Sequence, residues 1–340
     1  MQMPLKIYLL IALIKTVLSL AVMASLIAYV QLAERRIVAR MQSRVGPTRV
    51  GPWGLLQPLA DTFKLLLKED ITPSQTSSGL YLLAPAISVT LALLSIAVIP
   101  FGPVIHIFGY TTPLQITNIN VGLLFILGVT SLGVYGIVLA GWSSNSKYSL
   151  LGSLRAGSQM VSYELALGLA LVGPVLLAGS LDLRKIVAAQ AGGHWFILPE
   201  IVAFLIYLTA AFAETNRIPF DLPEAEGELG AGYHTEYSAM KFALFFFSEY
   251  ANMITVSCVA TLVFLGGWAG PVFGPVWLSR IVLPLFWFCL KAAFFLFLFI
   301  WVRGTLPRFR YDQLMALGWK VLVPVALANV LITSLVVAWR

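Results

Sequence analysis

Long apolar runs restrict this chain to one kind of solvent. Across its 340 residues, stretches of about 20 mostly apolar residues recur, the length a helix needs to cross a hydrocarbon layer of about 30 Å. They fall at roughly 7–30, 80–100, 119–141, 159–179, 196–214, 240–265, 281–302 and 319–339. The runs are continuous and do not alternate with a period of two, so helices rather than barrel strands are the spanning form. The expected fold is all-α, a single polytopic transmembrane domain over residues 1–340 with eight spanning helices. The first run lacks a small-residue cleavage site and reads as a retained helix rather than a signal peptide. No internal repeat of the kind that builds two-fold transporters is visible.

Composition narrows the chemistry. Only 11 % of residues are charged, less than half of the roughly 25 % usual in a soluble domain. A soluble enzyme and a disordered chain are excluded. The 2 cysteines, Cys258 and Cys289, are too few for an iron–sulfur cluster, which needs about four thiolates. No glycine-rich nucleotide motif or metal-ligand spacing occurs, so no metal or cofactor is expected on this chain. The net charge of +7 speaks of topology rather than of nucleic acid. The loops at about 31–79, 142–158, 215–239 and 303–318 carry thirteen Lys and Arg, against five on the other side. The positive-inside rule puts those loops in the cytoplasm and both termini outside. Most acids lie on the same side, giving a polar face suited to docking.

The first of these loops holds its own amphipathic helix. Leu55, Leu59, Phe63, Leu66 and Leu67 recur at spacings of three and four, with Gln57, Asp61, Lys64 and Lys68 on another face. Such a helix lies flat at the headgroup level or packs over the bundle.

Three charges fall inside spans: Glu164, Glu249 and Lys291. Each costs at least about 2.5–3.5 kcal/mol there. They therefore pair, for instance Glu249 with Lys291, stay neutral, or face a hydrated interior and relay protons or charge. Lys15 in the first run can tilt into the bundle or snorkel. The densest acidic segment, residues 213–237, contains Glu214, Asp221, Glu224, Glu226, Glu228 and Glu236. Asp221 and Glu224 have capping-box spacing, and Glu224 and Glu228 share a helix face where like charges repel. The segment reads either as a solvated acidic loop or as a coupled group that takes up protons.

Four runs carry a resemblance. AERRIVARMQSRVGPTRVGPWGLLQPLADTFKLLLKED, WSSNSKYSLLGSLRAGSQMVSYE, AETNRIPFDLPEAEGELGAGYHTEYSAMKFALFFFSEY and RGTLPRFRYDQLMALGWK stand here in order. Each resembles the matching loop of the H-type membrane subunit of proton-pumping NADH:quinone oxidoreductase, respiratory complex I. The resemblance covers essentially the whole chain. It implies a subunit that anchors the peripheral arm and forms the chamber through which quinone, a ubiquinone or a menaquinone, comes from the bilayer. It implies no catalytic residue on this chain alone. FMN and iron–sulfur clusters would sit in partner subunits. The implied partners are peripheral-arm iron–sulfur and quinone-site subunits, small membrane subunits, antiporter-like subunits and the bilayer of a bacterial plasma membrane.

Mapped onto this sequence, the resemblance places quinone contacts at Glu34, Arg35, Asp61, Arg217, Phe220, Phe246 and Arg303. It places a carboxylate route at Glu164, Glu214, Asp221, Glu224, Glu226, Glu228 and Glu249, which Glu236 and Lys291 extend. A rival reading is the related subunit of a membrane-bound hydrogenase or formate hydrogenlyase, which has no quinone. An independent transporter would need inverted repeats, and a membrane prenyltransferase would need paired Asp-rich motifs for Mg²⁺.

Overall fold

The computed structural model describes all residues except 1–4, 108–109, 223–229, 231, 276–277 and 340. Its helices are α1 (Leu5–Met41), α2 (Gln57–Leu67), α3 (Ser78–Ile96), α4 (Gly122–Ser143), α5 (Lys147–Ala178), α6 (Leu183–Ala189), α7 (Ile201–Glu214), α8 (Ala239–Phe264), α9 (Leu283–Thr305), α10 (Tyr311–Leu317) and α11 (Val323–Ala338). Single wider helical turns, Leu278–Val282 and Gly318–Leu322, lead into α9 and α11. A short antiparallel hairpin, β1 (Val104–Ile107) and β2 (Tyr110–Pro113), follows α3.

Among the described residues, seven helices are long and apolar enough to cross a membrane. The run at 196–214 differs from expectation. Its helix α7 has only 14 residues, about 21 Å at 1.5 Å per residue. Pro199 has no N–H to give a helix and biases its predecessor toward extended backbone. The chain therefore passes through turns until Ile201. Elsewhere the helices run past the apolar stretches. With 37 residues, α1 spans about 55 Å, so Glu34, Arg35 and Arg40 ride on a rigid helix. In the same way α5 takes up most of 142–158.

The core gathers around α8, whose residues from Tyr250 to Phe264 are almost all buried. Helices α3, α5, α7 and α9 pack around it, and the start of α1 stays apolar and exposed, with Leu9, Leu13 and Val17 open to lipid. Carbonyls in the last turn of α8, which have no partner within the helix, and in the turn that follows it are met in part by side chains. Gln190 donates to the carbonyls of Leu262 and Val263 at 2.9 and 3.1 Å. The Lys291 ammonium donates to those of Leu265, Gly267 and Ala269 at 2.6, 3.0 and 2.7 Å. The expected pair between Glu249 and Lys291 does not form, because these three carbonyls occupy the ammonium and Glu249 pairs with Arg217 instead. Lys15 tilts inward and donates to the Thr112 hydroxyl at 2.5 Å and the Pro113 carbonyl at 2.8 Å.

Candidate functional site

The site begins at Glu34. Its carboxylate, on the charged end of α1, is 5 % exposed. It accepts from Arg217 Nη1 at 3.0 Å on each oxygen, from Tyr250 Oη at 3.1 Å, and from Arg303 Nη1. Arg217 follows α7, and its Nε lies 2.5 Å from Glu249 Oε1 on α8. The guanidinium lies 4.3 Å above the Tyr250 ring, a cation–π contact strengthened by burial. One arginine thus holds two carboxylates from different helices. Its planar fork allows this where a single ammonium could not.

Beside this cluster opens a pocket of about 570 Å³ lined by Glu34, Arg35, Val38, Arg44, Val45, Gly46, Pro47 and Arg303. That volume is in the range of small-molecule sites. Arg35 Nη1 donates to Asp61 Oδ2 on α2 at 2.7 Å, and Gln57 steadies the other oxygen at 2.9 Å. The loop forming the pocket's far wall depends on Gly54. It has φ +71°, and a Cβ there would collide with the Pro47 carbonyl oxygen, so only glycine fits.

On the other side of Arg217 lies a second, narrow cavity of about 30 Å³, whose lining includes Glu214, Glu249, Thr130, Asn216, Ser248 and Asn252. Its wall mixes these polar groups with apolar Leu91, Val129, Ile137, Met160 and Phe245, and it has room for about one water. Glu214 is buried, and among the described residues its Oε2 has no hydrogen-bond partner. The Thr130 hydroxyl stands beside it, and Glu164, next to the Ser131 hydroxyl, is close enough to act on it by charge. Asp221 accepts from Arg308 Nη2 at 2.8 Å.

The structure therefore brings together Glu34, Arg35, Asp61, Arg217 and Arg303, and joins them through Arg217 to Glu249. Phe220 lies apart from the pocket lining, buried between Tyr163 and Phe309 at ring distances of 5.7 and 5.6 Å. Phe246 packs on His234. Lys291 stands at the far end of α8 as its cap. The Glu236 carbonyl accepts from Tyr81 at 2.7 Å. Glu224, Glu226 and Glu228 lie outside the described residues. Reasoning from sequence passes over Tyr250, Arg308 and Glu200. Glu200 is 2 % exposed and accepts from Asn329 and Thr333 at 2.6 and 2.5 Å. A signal for it exists, since Asn329 and Thr333 are four apart in an otherwise apolar run.

His234 is buried among Tyr233, Phe242 and Phe246. Burial pushes its pKa down to about 4 from the usual 6.5, so the ring is neutral at pH 7. An opened state binds the proton at 6.5 and the closed one only near 4. The associated stability is full above pH 6.5 and is lost as pH falls toward 4, on the order of 3 kcal/mol in all. Amide protection factors around residues 232–246, corrected for the intrinsic pH dependence of exchange, are expected to fall across that window, and His234→Gln to flatten the dependence.

A family model described as NADH dehydrogenase matches residues 14–334. The chain is 61 % identical to the second of the H-type NADH-quinone oxidoreductase subunits of Koribacter versatilis (strain Ellin345), over 98 % of each chain. It is 50 % identical to the first of those of Solibacter usitatus (strain Ellin6076), again over 98 % of each. With the first of those of Geobacter metallireducens (strain ATCC 53774 / DSM 7210 / GS-15) the identity is 56 %, over 97 % of each.

Proposed function

The chain belongs to the NADH dehydrogenase family as an H-type subunit of an NADH-quinone oxidoreductase, and on that premise we propose that it receives quinone and passes the charge change of its reduction into the membrane. The quinone enters past the pocket at Glu34, Arg35 and Arg303, and its headgroup is held at the chamber's far end largely by a peripheral-arm subunit. The tail extends along apolar surface toward lipid. The electrons come from iron–sulfur clusters of partner subunits docked on the charged end of the bundle. Reduction of a quinone to a quinol takes up two electrons and two protons.

The observation that carries this reading is the double hold of Arg217, on Glu34 beside the pocket and on Glu249 beside the inner cavity. A change of charge at the headgroup alters the hold on Glu34. The same guanidinium transmits that alteration to Glu249. Glu214 and Glu164 lie beyond it on the line toward the rest of the membrane arm. Asp221, with Arg308, belongs to the same charged end. The acids of 224–228 continue the carboxylate set in sequence.

The test uses the assembled complex. Glu249→Gln and Glu214→Gln should keep the shape of the cavity while removing a charge. Each is expected to lower proton translocation and coupled quinone reduction at least about tenfold. Arg35→Gln is expected to raise the KM for quinone about tenfold, with kcat nearly unchanged. Undiminished pumping in both Gln variants would overturn the relay, and an unchanged KM in Arg35→Gln would overturn the chamber.

A further inference from the structure

The amphipathic helix α2 has no buried residue of its own. Its apolar face is open, with Phe63 61 % and Leu67 85 % exposed. Polar attachments therefore decide where it lies. One is the bond from Arg35 to Asp61 at the pocket. The other follows the helix and reaches across to the start of α8. The Ile71 N–H donates to Ser238 Oγ at 2.9 Å, and the same hydroxyl donates back to the Ile71 carbonyl at 3.3 Å. Lys241 Nζ lies 3.0 Å from Asp70 Oδ2 and donates to Thr72 Oγ1 at 2.9 Å. The Lys241 side chain is 12 % exposed, against 53 % for Asp70, so the ammonium end of the pair is largely withdrawn from water.

This attachment is itself braced. Lys241 Nζ stands 5.0 Å over the Tyr81 ring. Tyr81 stacks on Tyr237 with ring centres 4.1 Å apart and planes within 5°. Tyr237 Oη donates to the Tyr81 carbonyl at 3.2 Å. A rigid base on α3 and the segment before α8 thus holds a segment that ends a helix with no core.

We propose that Asp70, Ser238 and Lys241 form a clasp that positions α2, and through Asp61 the pocket residue Arg35, and so sets how a long-tailed quinone reaches the pocket. The proposal rests on the chamber reading above. These are positioning residues, since none lines the pocket. The physical argument is leverage: α2 is 11 residues long, is held on the pocket side by Asp61 itself, and is held beyond its other end by the contacts of residues 70–72. Releasing one end frees the helix to slide over lipid. The shift alters the Arg35 wall while leaving the buried cluster at Glu34 in place.

The experiment compares Asp70→Asn, Lys241→Gln and Ser238→Ala in the assembled complex. Ser238→Ala removes two hydrogen bonds without leaving a charge, and keeps the test alive where Lys241→Gln fails to assemble. Two quantities are read: amide exchange of residues 57–67, and the KM and kcat for a long-tailed quinone against a tail-less one. The expected result is faster exchange in α2 and a KM for the long-tailed quinone about fivefold higher, with kcat and the tail-less KM nearly unchanged. Asp70→Asn with Lys241→Gln should be no worse than either alone, as for one shared contact. Unchanged exchange in α2 would overturn the clasp. Faster exchange with an unchanged long-tail KM, or with both quinones affected equally, would overturn its role in access. Arg35→Gln separates the two readings. If it raises KM while the clasp variants do not, the clasp alone is wrong; if it too changes nothing, the chamber reading falls and the access role falls with it.

Discussion

Replacing Arg217 with Leu should abolish coupled quinone reduction. The guanidinium is 4 % exposed and is held by Glu34, Glu249 and the Tyr250 ring. Removing it leaves two carboxylates without this partner in a poorly solvated interior. Breaking one such buried pair costs about 3–5 kcal/mol, and here one side chain serves two. A loss of about 3 kcal/mol in the productive arrangement is a rate deficit of roughly two orders of magnitude. Arg217→Lys should fall in between, because an ammonium is a point charge that serves Glu34 or Glu249 but not both in the same geometry. Quinone reduction and proton translocation, measured together on complex whose assembly is verified on a native gel, check both. Activity within about twofold of the parent in Arg217→Leu would sink the bridging role.

Lys291→Met should show the opposite profile. The ammonium donates to three carbonyls of the turn that follows α8 and lies 4.7 Å over the Trp195 ring. A hydrogen bond to a charged group is worth about 1.5–3 kcal/mol, so the substitution should cost several kcal/mol of local stability. Assembly yield and thermal stability are expected to fall, while complex that does assemble keeps its ratio of protons moved to electrons transferred. Normal stability with a reduced ratio would instead place Lys291 on the charge route. Pairing the assembly assay with the ratio measurement keeps these outcomes apart.

Much of this was legible in the sequence for a simple reason. Membrane helices declare themselves by length and apolarity, and among the described residues seven of the expected runs are long apolar helices. The amphipathic helix was readable from period alone and forms over Gln57–Leu67. Helix ends were less readable, because nothing in an apolar count stops a helix at the membrane surface. Hence α1 and α5 run on into segments read as loops. The hairpin at 104–113 and the shortness of α7 depended on local backbone chemistry, such as Pro199, which hydropathy does not weigh.

The site was legible residue by residue but not as a connected object. Charge inventory marked Glu249 and Lys291 as expensive, and their common depth suggested a pair. Equal residue counts into two helices are not equal depth: Lys291 reaches the turn after α8, about 24 Å along that helix from Glu249 at 1.5 Å per residue, and Glu249 turns to Arg217. Arg217 itself sits in a loop in the sequence, where an arginine ordinarily meets water. Its burial follows from α1 and α8 meeting at it from distant parts of the chain, which no local window contains. Tyr250 escaped notice for the same reason, as one aromatic residue in a run full of them.

The buried cluster at Glu34 has an electrical consequence. Glu34 and Glu249 face Arg217 and Arg303, so the quartet sums to zero formal charge. Nearby, Arg35 with Asp61 and Arg308 with Asp221 are likewise balanced. An electroneutral assembly in a medium of low permittivity resists an unmatched proton or electron, since any single addition leaves a bare charge with little water to screen it. On the proposed function, negative charge arriving on quinone and a proton arriving on a carboxylate therefore favour each other. The cluster behaves like an uncharged capacitor between the pocket and the inner cavity, accepting charge readily only when both plates are loaded together.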